Sequence, residues 1–425
     1  MDRRSVLCTA IAAGAATLDV AVADPALAAN DKKPQPGRDI AYRQWTTAAD
    51  FAAGILAGVA ITGDAVSIVS PVGQLTYTDP YKGTTDTYEY GSWTSPRVSP
   101  GYAGTELIPS WTASTPGGTW IQVEARGVTE LATITKWYNL GRWAADGQIF
   151  RTSVPAQADG DGNAAIDTFV ASAGRGWTGW ELRTTLFRRV GTAETPVLST
   201  VGAVTSRLPA PGKLIASSPQ AAQGVVLDVP CYSQEIHSGE YPQWDNGGEN
   251  WCSPTSTSMV LSYWGTGPTA ADYTWVDPSY PDPWVDYAAR HTYDYNFAGC
   301  GNWPFNTAYA GRYGLNGLVT RLRSLNEAEL FIADGVPLVL SASFKKGEIP
   351  GLNYGTGGHI MVLVGFTSAG EPVMNDPFSP SNDAVRKVVG RAEYEAAWLN
   401  TSRGIAYVIH PPSVALPPAP NQSNW

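Results

Sequence analysis

Between about Tyr42 and Leu208 the chain runs in short alternations of apolar and polar residues, such as Trp120-Ile121-Gln122-Val123-Glu124-Ala125 and Trp180-Glu181-Leu182-Arg183-Thr184-Thr185-Leu186. Successive side chains on a strand face opposite ways, so this alternation predicts half-buried strands. Clusters of Gly, Pro, Asp and Asn break the runs at regular intervals, which predicts an antiparallel β-sandwich over residues 42–208. Pro209-Ala210-Pro211-Gly212-Lys213 and the Ser/Ala/Gln-rich stretch after it predict a linker over 209–224. The pattern then changes. Helical spacing from Pro254 to Trp264 and from Leu325 to Ala333 is followed by continuous apolar runs, Val336 to Leu340 and Ile360 to Phe366, that predict buried strands. Residues 225–412 therefore read as an α+β domain, and the Pro- and Asn-rich residues 413–425 as a flexible tail.

Ahead of these elements, Arg3 and Arg4 precede a weakly apolar stretch from Val6 to Leu18 and a small-residue site, Ala26-Leu27-Ala28. This predicts a removable export signal over 1–29, of twin-arginine or general secretory type, and then a polar linker over 30–41. The mature protein is expected to be secreted or extracytoplasmic. No later apolar run approaches the roughly 20 residues needed to span a bilayer.

Composition narrows the function classes. At 425 residues the chain is too long for a small disulfide scaffold, and 44 Gly, 32 Pro, 16 Trp and 20 Tyr with only 16% charged residues argue against a coiled coil. A net charge of −10 and the lack of a basic tract argue against a nucleic-acid partner. Without the signal three cysteines remain, Cys231, Cys252 and Cys300, and an odd number in an oxidising compartment predicts one pair and one working thiol. A Cys231–Cys300 disulfide is one such partition, and spacing alone leaves it open.

Glu249-Asn250-Trp251-Cys252-Ser253-Pro254 reads as a loop entering a short helix that stops at Gly265, with Met259/Tyr263 and Val260/Trp264 as buried neighbours. Cys252 then stands at the helix N-terminus, where unpaired N–H groups and the helix dipole favour a thiolate nucleophile. A buried or disulfide-bonded cysteine is the plain alternative. Gly355-Thr356-Gly357-Gly358-His359 places one of only four histidines at the mouth of a buried strand. Glu371-Pro372-Val373-Met374-Asn375-Asp376-Pro377-Phe378 adds a second strand whose end offers a carboxylate able to fix an imidazole tautomer. Taken singly, these residues could equally be a capping histidine and an Asp-Pro turn.

The order Cys252, His359, Asp376 resembles the papain-like cysteine peptidases, and more closely the peptidase family thirty-nine-like group related to the bacteriocin-leader (double-glycine) peptidases. Leu227-Asp228-Val229-Pro230 with Gln234, the Cys-x-Pro helix start, the Gly-His strand ending Gly365-Phe366, and Asn375-Asp376-Pro377 carry the likeness across about Val225 to Pro412. The resemblance implies a papain-like fold, Cys252 as nucleophile, His359 as general base and acid, Asp376 as the group orienting the imidazole, and Gln234 as an oxyanion donor beside the Cys252 N–H. Ser253 departs from the glycine usual after the nucleophile, and an insertion with Tyr241 and Trp244 lengthens the Gln234–Cys252 loop. Leader peptidases work inside the cell on transporters. For an exported chain without a transporter domain, bacteriocin maturation is not implied.

The expected function is an exported cysteine peptidase that hydrolyses peptide amide bonds and needs no metal or cofactor. Cleavage of cell-wall peptide stems by the same triad, and a catalytically inert surface-binding protein, are the alternatives. Asp159-Gly160-Asp161-Gly162-Asn163 resembles the opening of a calcium loop, but Ala164 and Val170 stand where glycine and glutamate are needed, so a β-turn is expected. Cys231, His237, Cys252 and Cys300 could be drawn as a zinc site, yet their spacing matches no zinc-ligand pattern. Segments such as Tyr90-Gly91-Ser92-Trp93 resemble strands of a lectin-like sandwich, and Trp93, Trp111, Trp120, Trp137, Trp143, Trp177 and Trp180 could present ring faces to a carbohydrate, with core packing the default expectation.

Overall fold

The computed structural model describes residues 37–425, so the expected export signal lies outside the described residues, as does most of the linker after it. Three antiparallel sheets and a few helices make up the fold. The strands Asp39–Trp45, Val59–Thr62, Ala65–Ile68, Glu106–Ser114, Gly162–Ala165, Thr168–Ala171 and Val197–Arg207 form a seven-stranded sheet. A six-stranded sheet is built from Ile55–Ala57, Gly73–Thr78, Thr85–Thr94, Trp120–Thr129, Tyr138–Trp143 and Trp177–Arg189. The alternation seen in the sequence is the pleat of these strands. Ile121, Val123 and Ala125 are fully buried, and Trp180, Leu182 and Leu186 face the same core from the neighbouring strand.

Six of the seven tryptophans named above, all but Trp137, are buried in this half, so their rings serve packing rather than a sugar-binding face. Trp120 stacks on Phe187 at 3.8 Å, and Trp177 on Phe169 at 4.1 Å. The half-buried Trp137 carries the guanidinium groups of Arg126 and Arg183, 4.4 and 4.5 Å from its ring. The Asp159 segment is a turn. The Asp159 carboxylate accepts from the N–H groups of Asp161 and Gly162, and the Asp159 N–H donates to the Gly162 carbonyl.

The third sheet has six strands in the order Asn316–Arg321, Ile405–His410, Leu338–Phe344, Thr356–Phe366, Pro372–Asn375 and Arg386–Val388. Helix Cys252–Tyr263 packs on the strand Thr356–Phe366. It is buried on all sides from Ser253 to Leu261. Small hydroxyl side chains permit this because each can bond locally: Ser253 pairs with the Tyr407 hydroxyl, Ser256 donates to the Ile360 carbonyl, and Ser258 to the Pro254 carbonyl one turn back.

The two halves share a core. Phe305, on helix Trp303–Gly311, lies against Trp111 and Trp143 with ring centroids 6.1 and 5.5 Å away. Arg321 of the third sheet is ion-paired with Glu106 of the first, both buried. Phe305→Ala is expected to cost about 3–5 kcal/mol. Denaturant unfolding of the variant beside the wild type checks this, and a change below about 1 kcal/mol would mean that the two halves do not stabilise one another through this ring.

At three boundaries the structure adds contacts that the sequence pattern does not show. The first strand starts at Asp39 inside the expected linker, with Ile40 fully buried. Residues 209–224 are irregular but pinned, since Ser217 bonds Glu395 and the N–H of Gln220 donates to Glu329. The tail expected to be flexible is packed: Asn424 is fully buried between the Arg321 carbonyl and Glu327, Arg323 holds Asn424 and the Gln422 carbonyl, and Tyr42 N–H donates to Ser423. Its polar composition suits bonding to buried partners as well as to water, which is why composition misled.

Candidate active site

Cys252 is the first residue of its helix, and Thr255 makes the first intrahelical bond, to the Trp251 carbonyl. Pro254 has no N–H, so Cys252 and Ser253 supply the unpaired donors of the first turn. The thiol is partly exposed at this end of the helix. His359 sits on the strand Thr356–Phe366 opposite Ala342, and Asp376 directly follows the strand Pro372–Asn375. The fold thus brings Cys252 to a histidine and an acid that lie more than a hundred positions further along the chain.

His359 Nε2 lies 2.7 Å from Asp376 Oδ1. An ionised carboxylate can only accept, so Nε2 carries the proton and Nδ1 is the nitrogen left for the Cys252 thiol. Burial opposes a charge on His359, but hydrogen bonds to Asp376 and to Cys252 outweigh it and raise the imidazole to about 9. The Asp376 carboxylate has no exposure, yet it is well supplied with donors. Oδ1 also accepts from the Tyr354 hydroxyl at 3.1 Å and the Phe378 N–H at 3.0 Å, and Oδ2 faces Lys387 Nζ at 2.7 Å. Burial works against that charge too, but His359 and Lys387 prevail and hold Asp376 below the ordinary carboxylate range. Burial and the adjacent carboxylate push the Tyr354 hydroxyl upward, which keeps it a donor.

These shifts define a pH window. The raised His359 stabilises the fold fully below its unfolded value of 6.5, and that contribution is lost as pH climbs through about 9. The depressed Asp376 contributes above its unfolded value of 3.8 and loses that contribution as pH falls through its lower folded value.

Asn375 points elsewhere. Its side-chain amide donates to the Val229 and Pro230 carbonyls and accepts from Arg386, on the opposite side of the strand from Asp376. Gln234 is buried beside Cys252, with Nε2 donating to the Glu249 carbonyl at 2.7 Å. Close backbone approach makes this possible: a Cβ on Gly248 would fall 2.4 Å from the Gln234 carbonyl oxygen, so only glycine lets the two loops meet. The Tyr241–Trp244 insertion folds onto Trp275, with ring centroids 5.1 and 5.3 Å apart. Tyr354, Phe378 and Lys387 complete the surroundings of His359 and Asp376, and no motif marks their roles, because each reaches the site through loop closure or strand pairing.

All three described cysteines are free, so the Cys231–Cys300 bridge does not form. Cys300 is buried with its thiol toward the Ala289 carbonyl, while Cys231 lies beside Arg386. A cleft of about 690 Å³ opens over Cys252 and His359, walled by Gln234, Trp303, Tyr354 and Phe378.

Residues 226–405, which contain this whole constellation, match the family model described as Peptidase C39 like family, and residues 41–206 match that of the Peptidase C39 N-terminal domain. The chain belongs to the peptidase C39-like family. The two matches give a two-domain arrangement in which an N-terminal family domain precedes the peptidase-like one. No curated protein matches the chain. Among the described residues no helix is long and apolar enough to cross a membrane.

Proposed function

We propose that this C39-like protein is an exported cysteine peptidase with a papain-like catalytic domain carried behind an N-terminal β-sandwich. The observation that carries the reading is the buried His359–Asp376 hydrogen bond of 2.7 Å, with Cys252 at the helix end on the other side of the imidazole. Two sheets meeting in one core support the sandwich, and a thiol on a helix facing a histidine and an acid on adjacent strands supports the papain-like assignment.

In this mechanism the Cys252 thiolate attacks the amide carbonyl carbon and the carbonyl π pair moves onto oxygen. The oxyanion takes hydrogen bonds from the Cys252 N–H and from the second N–H of the Gln234 amide, the first being held by Glu249. His359, as imidazolium, gives its proton to the departing amine, and the C–N bond breaks to leave a thioester. Water, deprotonated by His359, then displaces the thiolate and releases the acid. Asp376 keeps the imidazole oriented and stabilises its charged form.

Labelling the mature protein with a thiol-directed electrophile, together with digestion of a peptide library and of cell-wall peptide fragments, tests the assignment. Labelling of Cys252 with turnover of a peptide supports it, whereas labelling with no turnover of any substrate would favour a binding protein. On the substrate found, Gln234→Ala is expected to lower kcat by about tenfold to a thousandfold with a smaller effect on KM. An unchanged kcat would remove Gln234 from the oxyanion site.

A further inference from the structure

Outside the cleft, His237, Glu240 and Asp286 converge, all three buried, with one ligand atom from each within 4.8 Å of the others. His237 ends the short turn Glu235–His237, Glu240 lies three residues on, and Asp286 comes from helix Pro283–Thr292. His237 Nδ1 is 2.7 Å from Glu240 Oε2 and 3.5 Å from Asp286 Oδ2. Beyond that 3.5 Å contact with His237, neither oxygen of the fully buried Asp286 has a hydrogen-bond partner among the described residues.

Asp376 shows how differently this protein treats a buried carboxylate that it solvates itself, with four donors on the two oxygens. A buried acid normally accepts several hydrogen bonds, so orphaned oxygens aimed at an imidazole and a second acid call for another partner. Charge leads the same way. Two carboxylates against one imidazolium leave a net negative charge in a dry site, whereas a divalent cation with neutral imidazole balances both.

We infer that His237, Glu240 and Asp286 form a binding site for a divalent first-row transition-metal cation of the Zn²⁺ or Mn²⁺ kind. One nitrogen and two oxygens are the ligand types such ions take, and at metal–ligand distances near 2.0–2.2 Å tetrahedral ligand atoms stand about 3.3 Å apart, between the two separations seen here. None of the three described cysteines takes part. The site joins the loop carrying Gln234 to helix Pro283–Thr292, so a bound cation clamps one wall of the cleft without touching the reacting atoms.

The test uses the full mature chain in the Cys252→Ala background, which removes the one partly exposed thiol of the cleft as a competing ligand. The protein is stripped with a chelator and titrated with ZnSO₄ or MnCl₂ by calorimetry, with elemental analysis and thermal melts. One equivalent of cation per chain and a raised Tm are expected, and His237→Gln and Asp286→Asn should each weaken binding by on the order of a hundredfold. Failure of both cations to bind stoichiometrically, or equal binding by both variants, would overturn the site. Should the variants not fold, Co²⁺ on the parent chain decides: a spectrum of nitrogen and oxygen ligation supports the site, and a thiolate charge-transfer band or no uptake refutes it.

Discussion

Cys252→Ala is expected to abolish hydrolysis while leaving the fold intact. Losing the nucleophile of a triad removes on the order of a millionfold in kcat, because no other group in the cleft can form the thioester. The thermal transition should stay within about 1 kcal/mol of the wild type, since the thiol is partly exposed and the helix is held by Ser253, Ser256 and Ser258. Comparing kcat on the identified substrate with the melting curve separates the two roles. A variant that loses its transition along with its activity would make Cys252 a structural residue.

The second large effect is expected at His359. Removing its imidazole takes away both the activation of the thiol and the proton for the leaving amine, so His359→Ala should cost at least about a thousandfold in kcat. Asp376→Ala should be milder, about tenfold to a thousandfold, and it carries its own signature. The wild-type rate is expected to be bell-shaped in pH, with the alkaline limb near 9 where the imidazolium loses its proton, both limits belonging to the thiol–imidazole pair. Without the carboxylate the imidazolium is less favoured, so that limb moves to lower pH in Asp376→Ala. Asn375→Ala should leave it in place, because its amide serves the Val229 and Pro230 carbonyls. A shifted limb in Asn375→Ala and none in Asp376→Ala would reassign the orienting residue.

The hydrogen-bond pattern around Asp376 explains why a site this buried can hold charge. Four donors replace the water lost on burial; Tyr354 comes from a loop and Lys387 from an edge strand, and the Tyr354 ring also stands edge-on to that of His359. The carboxylate is thereby fixed in position as well as ionised, which is what orientation of an imidazole requires.

Much of this was legible in the linear chain, and the reason is local. Alternation of period two specifies a pleated, half-buried strand wherever it occurs, so the strands around Trp120 and Trp180 needed no tertiary information. Cys-x-Pro before a run of small residues specifies a helix start, and the glycines before His359 with the Asn-Asp-Pro step mark strand ends. The tertiary structure decided everything that depends on two distant segments meeting. It turned Asn375 away and Asp376 toward the ring, left Cys231 and Cys300 unpaired, and folded a polar tail into a buried seam. It also set His237 beside Asp286, forty-nine positions away, which no spacing rule connects. Periodicity records which face of an element is buried, whereas a contact between elements depends on the closure of the loops between them, and the sequence of either element alone carries no trace of it.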